Sequence, residues 1–337
     1  MKSKLLSLFF YTFLLITQTR SIAQSNYFHP GEIWRDMDGN PINAHGGGIL
    51  FDHNTYYWFG EIKSGKTIRV KEDTSWENFR VNAGGISCYS SHDLLHWKYE
   101  GLALATVPND SSHDLHPGRV IERPKVIYNQ ITGKYVMWMH IDSRDYSYAR
   151  AGVAVSDNPA GPYTYLGSMR PNGAMSRDMT LFKDTNGRAY LISTSENNAT
   201  IHVNELTSDY LKPSGKFKRI LIGLNREAPA IVKHNHKYYL ITSLCTGWDP
   251  NEAMYATADS VMGHWTPKGN PCAGENNLKT FNSQITFILP VRGMQGKYIF
   301  MADRWNKADL PDSRYVWLPL VFQNEKIMIQ WVGKWRF

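Results

Sequence analysis

Residues 227–243 read EAPAIVKHNHKYYLITS: an acid, a short apolar run ending near Val232, a polar break at His234-Asn235-His236, and a second apolar run that begins at Tyr239. Asn and Gly accept the dihedrals of a tight turn that β-branched and aromatic residues resist, so the stretch reads as strand, turn, strand. The plan recurs at 44–61 (AHGGGILFDHNTYYWFGE), 122–142 (ERPKVIYNQITGKYVMWMHID), 177–195 (RDMTLFKDTNGRAYLISTS) and 284–303 (QITFILPVRGMQGKYIFMAD). The first runs of these copies end near Leu50, Ile127, Phe182 and Ile288, and the second runs start at Tyr57, Tyr135, Tyr190 and Tyr298.

The segments between the copies also repeat. They read CYSSHDLLHWKYEG, VAVSDNPAGPYTYLG, VNELTSDYLKPSGKF and YATADSVMGHWTPKG, each a strand followed by a turn carrying Asp93, Asp157, Asp209 or Asp259. Asp at such turns fits side-chain hydrogen bonds to the local backbone. Two hairpins make a four-stranded blade, and self-similarity at a period of roughly 50 residues is the signature of a repeat architecture. The expected fold is therefore all-β, a five-bladed β-propeller with a central funnel.

Each copy brings one polar residue to the start of its innermost strand: His45, Glu122, Asp178, Glu227 and Gln284. Burying a carboxylate beside apolar runs is costly unless it has partners or a task. Arg123, Arg177 and Arg226 adjoin the acids, so ion pairs between blades are one explanation. Glycoside hydrolysis is the other. Inversion needs a protonated carboxyl group for the leaving oxygen and a base for water on the opposite face, with the two roughly 6.5–9.5 Å apart. Blades facing one another across a funnel supply that spacing, and crowded like charges keep one carboxyl protonated while its neighbour is ionised.

The first residues place Lys2 and Lys4 before a mostly apolar stretch from Leu5 to Ile16, followed by Ser21-Ile22-Ala23. This is expected to be a signal peptide over 1–23, cleaved near Ala23, with the propeller occupying 24–337 and the product exported to the periplasm or secreted. No later stretch approaches the length of a membrane span. The formal charge of +7 falls to +4 without Lys2, Lys4 and Arg20, and no block of like charges suggests nucleic-acid binding. A monomer is expected. Cys88, Cys245 and Cys272 are an odd set, and Cys245 and Cys272 flank the fourth blade's outer hairpin, where a disulfide could form.

With Asp178 in the context SRDMTLF and Glu227 in REAPAI, the chain resembles glycoside hydrolase family 43. NPINAHGGGI, ERPKVIYN, TGWDPN, SQITFILP and FMADRWN…DSRYVWLPL resemble that family's exo-β-1,3-galactanase branch. The resemblance covers the chain beyond the leader. It implies an exo-acting, inverting hydrolase that releases galactose from β-1,3-galactan, the backbone of plant arabinogalactan proteins. By the same resemblance Glu227 is the general acid, and Asp178 orients it and tunes its pKa. Glu122, Gln284, Glu61 and Tyr146 match positions lining the galactose subsite, with Asn198 and Thr246 at further binding positions. Trp248 offers a ring for stacking, or packs between blades. No cofactor is required, and relatives often hold calcium at the propeller axis, although no ligand cluster in the sequence demands one.

The first blade departs from the wider family, which places an aspartate base where this chain has His45 before Gly46-Gly47-Gly48. The galactanase branch shares the absence, and its water activation has been ascribed to a glutamine in its imidic tautomer or to a neighbouring glutamate. Gln284 and Glu122 hold those places here, so the candidates rank Gln284, Glu122 and then His45, the last also a hydrogen-bonding residue of the hub. Two alternatives stay open: the same acid pair acting on a β-galactofuranoside, α-L-arabinofuranoside or β-xyloside, or a non-catalytic sugar-binding propeller. Retention of Glu227 and Asp178 counts against the second.

Overall fold

The computed structural model describes residues 25–69 and 79–337, and the leader expected over 1–23 lies outside the described residues. The repeats fold at the turns their sequences mark. His53-Asn54 and Asn235-His236 have positive φ throughout, between 42° and 67°. That conformation matches the right-handed twist of the flanking strands in a two-residue hairpin. Leu50 pairs with Tyr57 and Val232 with Tyr239 across these hairpins, and Phe182 pairs with Tyr190 across the longer turn at Asp184 to Arg188.

Among the described residues five sheets result, each built on a four-stranded meander laid from inside to outside in chain order. Four have four strands; the last gains a fifth because Cys272–Ala273 pairs in parallel with Lys326–Gln330. The innermost strands His45–Asp52, Val120–Asn129, Met179–Lys183, Arg226–His234 and Gln284–Pro290 contact one another in a closed ring. The protein is a five-bladed β-propeller. Among the described residues no helix is long and apolar enough to cross a membrane.

Two local devices position the hub residues. The register of the innermost strand slips just after His45, Glu122 and Glu227, and there Gly46, Arg123 and Ala228 take φ of 59°, 56° and 50°. These are β-bulges, which bend a strand and re-aim its side chains. Pro124 and Pro229 occupy the bulge positions, where no ladder hydrogen bond is needed. The second device is pairing: His45 faces Glu61, Glu122 faces His140, Glu227 faces Ser243 and Gln284 faces Asp303 on the adjacent strand. The polar hub is thus two strands deep.

Where the first and last blades meet, aromatic rings close the ring. Phe28 and Trp335 exchange backbone hydrogen bonds of 2.8 and 3.1 Å and stack at 4.3 Å. Trp58, Trp97 and Trp317 are buried behind them. The turn aspartates divide: Asp93 and Asp209 accept from local backbone N–H groups, whereas Asp157 instead pairs with Lys134. The three cysteines are free. Cys272 packs in the core between the last two blades, while Cys245 turns toward the Asn225 carbonyl, so the disulfide envisaged between them does not form.

Candidate active site

Glu61, Glu122, Tyr146, Asp178, Asn198, Glu227, Trp248 and Gln284 line one cavity at the hub, together with Arg80, Arg123, His140, Arg177, Gly247 and Trp305. The space inside it that a water-sized molecule can reach is about 60 Å³, and its mouth opens to solvent. Two expected binding residues lie elsewhere. The Thr246 hydroxyl donates to the Asp249 carbonyl at 2.6 Å and shapes the turn that carries Trp248. His45 is 1 % exposed, stacks on Tyr315 at 5.1 Å and lies outside the cavity lining. Burial, then the charges of Lys63 and Arg314, push its pKa down to about 3. A buried, neutral imidazole outside the lining does not meet a water in the cavity, which removes His45 from the candidates for the base.

Glu227 is surrounded by amides. Gln284 donates to its Oε1 at 2.9 Å and Asn198 to its Oε2 at 3.2 Å. Burial and then the negative charge of Asp178 push its pKa up to about 8, against the opposing pull of Arg123. It therefore carries a proton at neutral pH, the condition a general acid needs.

Glu122 is the opposite case. Burial disfavours its charge, but Lys63 at 3.5 Å, His140 at 3.5 Å and Arg123 together hold its pKa well below the usual carboxylate range. Tyr146 donates to its Oε1 at 3.1 Å. His140, held between Glu122 and Asp142, has its pKa raised to about 9 despite burial. Glu61 is pushed up to about 7 by burial, with Lys63 at 2.9 Å opposing the shift. Two glutamates in one cavity are thus driven in opposite directions from Glu122, the pattern that separates acid and base roles.

Gln284 has its orientation fixed by its neighbours. Its Oε1 accepts from Arg123 Nη2 at 2.6 Å and from Trp305 Nε1 at 3.0 Å. Both partners can only donate, so the atom facing them is the carbonyl oxygen. The amide nitrogen then donates to Glu227 and to Ser243 Oγ at 3.0 Å.

Of the arginines beside the acids, two form ion pairs between blades: Arg123 lies 2.9 Å from Asp178, and Arg177 lies 4.0 Å from Asp142. Arg226 binds the hydroxyl and carbonyl of Thr242, and Arg177 reaches Asn198 and the Tyr146 carbonyl. Sequence reasoning missed Lys63, His140 and Trp305. Lys63 stands two residues beyond Glu61 on one strand, hence on the same face, and His140 lies in the quoted second repeat. Trp305 lies in the closing motif.

Calcium, which the family resemblance allows at the axis, does not fit the residues found there. Glu122, His140 and Asp178 present ligand atoms within 4.8 Å of one another, but Lys63 and Arg123 already balance the carboxylates. The Lys125 amino group is also buried and donates to the Gly46 carbonyl at 2.8 Å, with burial and then the charge of Arg123 pushing its pKa down to about 7. A calcium ion takes six to eight oxygen ligands, and the hub offers no such set among the described residues.

The profile of glycosyl hydrolases family 43 matches residues 47–284, most of the chain. The chain belongs to glycoside hydrolase family 43. Solved structures of family 43 enzymes superpose closely. A family 43 β-1,3-galactosidase solved with galactodeoxynojirimycin is 44% identical, with a TM-score of 0.85 over 92% of this chain and 100% of that one. A variant of the exo-β-1,3-galactanase from Phanerochaete chrysosporium, solved with β-1,3-galactotriose, is 36% identical, with a TM-score of 0.82 over 93% of this chain and 68% of that one. An exo-β-1,3-galactanase from Clostridium thermocellum is 38% identical, with a TM-score of 0.79 over 91% of this chain and 66% of that one. No curated protein sequence matches significantly. As a family 43 member the protein is a glycoside hydrolase.

Proposed function

We propose that this hydrolase removes galactose from the non-reducing end of β-1,3-galactan with inversion, as an exported enzyme. The observation that carries the chemistry is two carboxyl groups lining one cavity in opposed surroundings: burial and Asp178 raise the pKa of Glu227, whereas Lys63, His140 and Arg123 lower that of Glu122. The substrate class is supported by similarity to enzymes solved with galactose-like ligands and with β-1,3-galactotriose.

In this reading Glu227 protonates the departing glycosidic oxygen, and Asp178 keeps it protonated until the sugar is bound. Asn198 and Gln284 hold its carboxyl group in place. Water attacks the opposite face, and its proton goes to Glu122. Gln284 is the weaker choice because an imidic tautomer would place a hydrogen on the oxygen that already faces Arg123 and Trp305. Glu122 is a weak base. An oxocarbenium-like transition state asks little of a base, because bond breaking runs ahead of attack. Trp248 and Trp305, 5.1 Å apart, present aromatic surface to the sugar.

The test is product analysis on linear β-1,3-galactan, with the first anomer followed by NMR and Glu227→Gln run alongside. Release of α-galactose that disappears in the variant is the expected result. A β-anomer as first product sinks inversion, and no release from linear galactan sinks the substrate assignment.

A further inference from the structure

Lys125, on the innermost strand Val120–Asn129, is 2 % exposed, a rare place for a lysine. Its stem passes Gly48 on the innermost strand His45–Asp52. A Cβ on Gly48 would stand 2.5 Å from Lys125 Cδ and 3.1 Å from Cε, so glycine at 48 keeps the lane open. The amino group donates to the Gly46 carbonyl at 2.8 Å and to the Arg123 carbonyl at 3.4 Å. Both acceptors are positive-φ residues at the bulges that follow His45 and Glu122. A bulge takes a residue out of its ladder, and a buried carbonyl left without a partner is costly.

The two bulges meet beside the catalytic cavity. A Cβ on Gly46 would stand 2.6 Å from Glu61 Oε1 and 3.3 Å from the Arg123 nitrogen, and the Gly46 N–H donates to Asp303 at 2.5 Å. Arg123 in turn directs its guanidinium to Asp178, Gln284 and the Ile285 carbonyl. Lys125 itself lines a second cavity, bordered by the innermost strands of all five blades, with about 590 Å³ that a water-sized molecule can reach. One side chain thus joins this axial cavity to the backbone of the residue that organises the catalytic one. An apolar side chain of similar length would fill the lane without the cost of burying an amine. A primary amine keeps N–H donors with or without its extra proton, and here they hold the carbonyls of two blades together.

We propose that Lys125 is a positioning residue of the hydrolase: it ties the bulge at Gly46 to the bulge at Arg123, and so fixes the Arg123 guanidinium against Asp178 and Gln284 beside the acid. Lys125 lies outside the lining of the catalytic cavity and acts through Arg123. The inference rests on the roles given to Glu227 and Asp178, and not on the identity of the sugar.

The test uses two variants. Lys125→Met keeps an unbranched stem and removes the donor. On β-1,3-galactotriose it should lower kcat by about 10- to 100-fold, with KM within about twofold of wild type. Lys125→Ala empties the lane beside the axial cavity, and added propylamine, which supplies the missing atoms, should restore much of its kcat in a saturable way. The same amine should leave wild type and Lys125→Met unchanged, because their lanes are filled. A role in packing alone predicts a wild-type kcat for folded Lys125→Met and no response of Lys125→Ala to the amine, and either result overturns the proposal. Should Lys125→Met not fold, the amine response of Lys125→Ala decides. Wild type inert on galactotriose sinks the galactan reading instead, and crystal structures of wild type and Lys125→Met then carry the test. An Arg123 guanidinium moved beyond the roughly 4 Å limit of an ion pair with Asp178 supports positioning, and an unmoved one overturns it.

Discussion

Arg123 and Asp178 form the ion pair at the centre of the site, with Nη2 2.9 Å from Oδ2. The same nitrogen donates to Gln284 at 2.6 Å, and Nη1 donates to the Ile285 carbonyl at 2.9 Å. One planar group thus fixes the aspartate beside the acid and the amide that holds the acid. Lysine would keep the charge and lose the fork. Arg123→Lys should lower kcat by about 10- to 100-fold through misplacement of Glu227, with the alkaline limb of the pH profile little moved. A variant with unchanged kcat would separate the ion pair from catalysis.

The raised pKa of Glu227, about 8, sets the high-pH side of activity. Above it the acid has lost its proton, and kcat/KM should fall by about tenfold per pH unit. Gln284→Ala removes a hydrogen bond that favours the ionised form of Glu227. Its alkaline limb should therefore move to higher pH even as its rate falls. A limb that stays put, measured with a small aryl galactoside, would assign the titration to another group.

Stability should register the same proton. Folded Glu227 keeps it to about pH 8, whereas an unfolded glutamate releases it near 4.5. Between these values the folded state binds more protons, so stability falls as pH rises through the window. Glu227→Gln has no such proton to lose. Glu61 and Asp303, both pushed up to about 7 by burial, add a similar slope to both proteins and leave the difference to Glu227. The melting temperature of Glu227→Gln relative to wild type should rise from pH 5 to pH 9. A difference independent of pH refutes a proton on buried Glu227.

The propeller was legible because its signal is repeated. Five copies of one hairpin, each with a tyrosine near the start of its second strand, agree on a period that no single copy could establish. The convergence of Glu122, Asp178, Glu227 and Gln284 followed from their shared place in the repeat. His45 shares that place too, yet it is buried against the ring of Tyr315 and stays outside the cavity lining. A repeat fixes where along a strand a residue falls, whereas exposure depends on the neighbouring blade. For the same reason Lys63 and His140 were hidden: each belongs to a second strand, His140 joining the site through its register with Glu122 and Lys63 through its ion pairs with Glu61 and Glu122.

The seam between the first and last blades should carry stability without carrying chemistry. Trp335 is largely buried, stacks on Phe28 and donates from Nε1 to the Trp317 carbonyl at 2.9 Å. Trp335→Ala leaves a cavity and an unsatisfied carbonyl, and should cost about 3–5 kcal/mol in urea denaturation. The hub residues lie on other strands, so kcat should hold at temperatures where the variant is folded. Loss of kcat in the folded variant would mean that closure of the ring also sets the site.

The division of labour between Glu122 and Gln284 is open to a direct comparison. If Glu122 accepts the proton of water, Glu122→Gln should lower kcat by about 10²–10⁴-fold. Added azide, a nucleophile that needs no base, should restore turnover and give an α-galactosyl azide. Gln284→Ala should show no such rescue, because what it loses is the support of Glu227 through Nε2. The geometry gives the reason for the asymmetry: Glu122 has Tyr146 and Lys63 as partners, while the Gln284 amide points at the acid. Azide rescue of Gln284→Ala with none of Glu122→Gln would exchange the two roles.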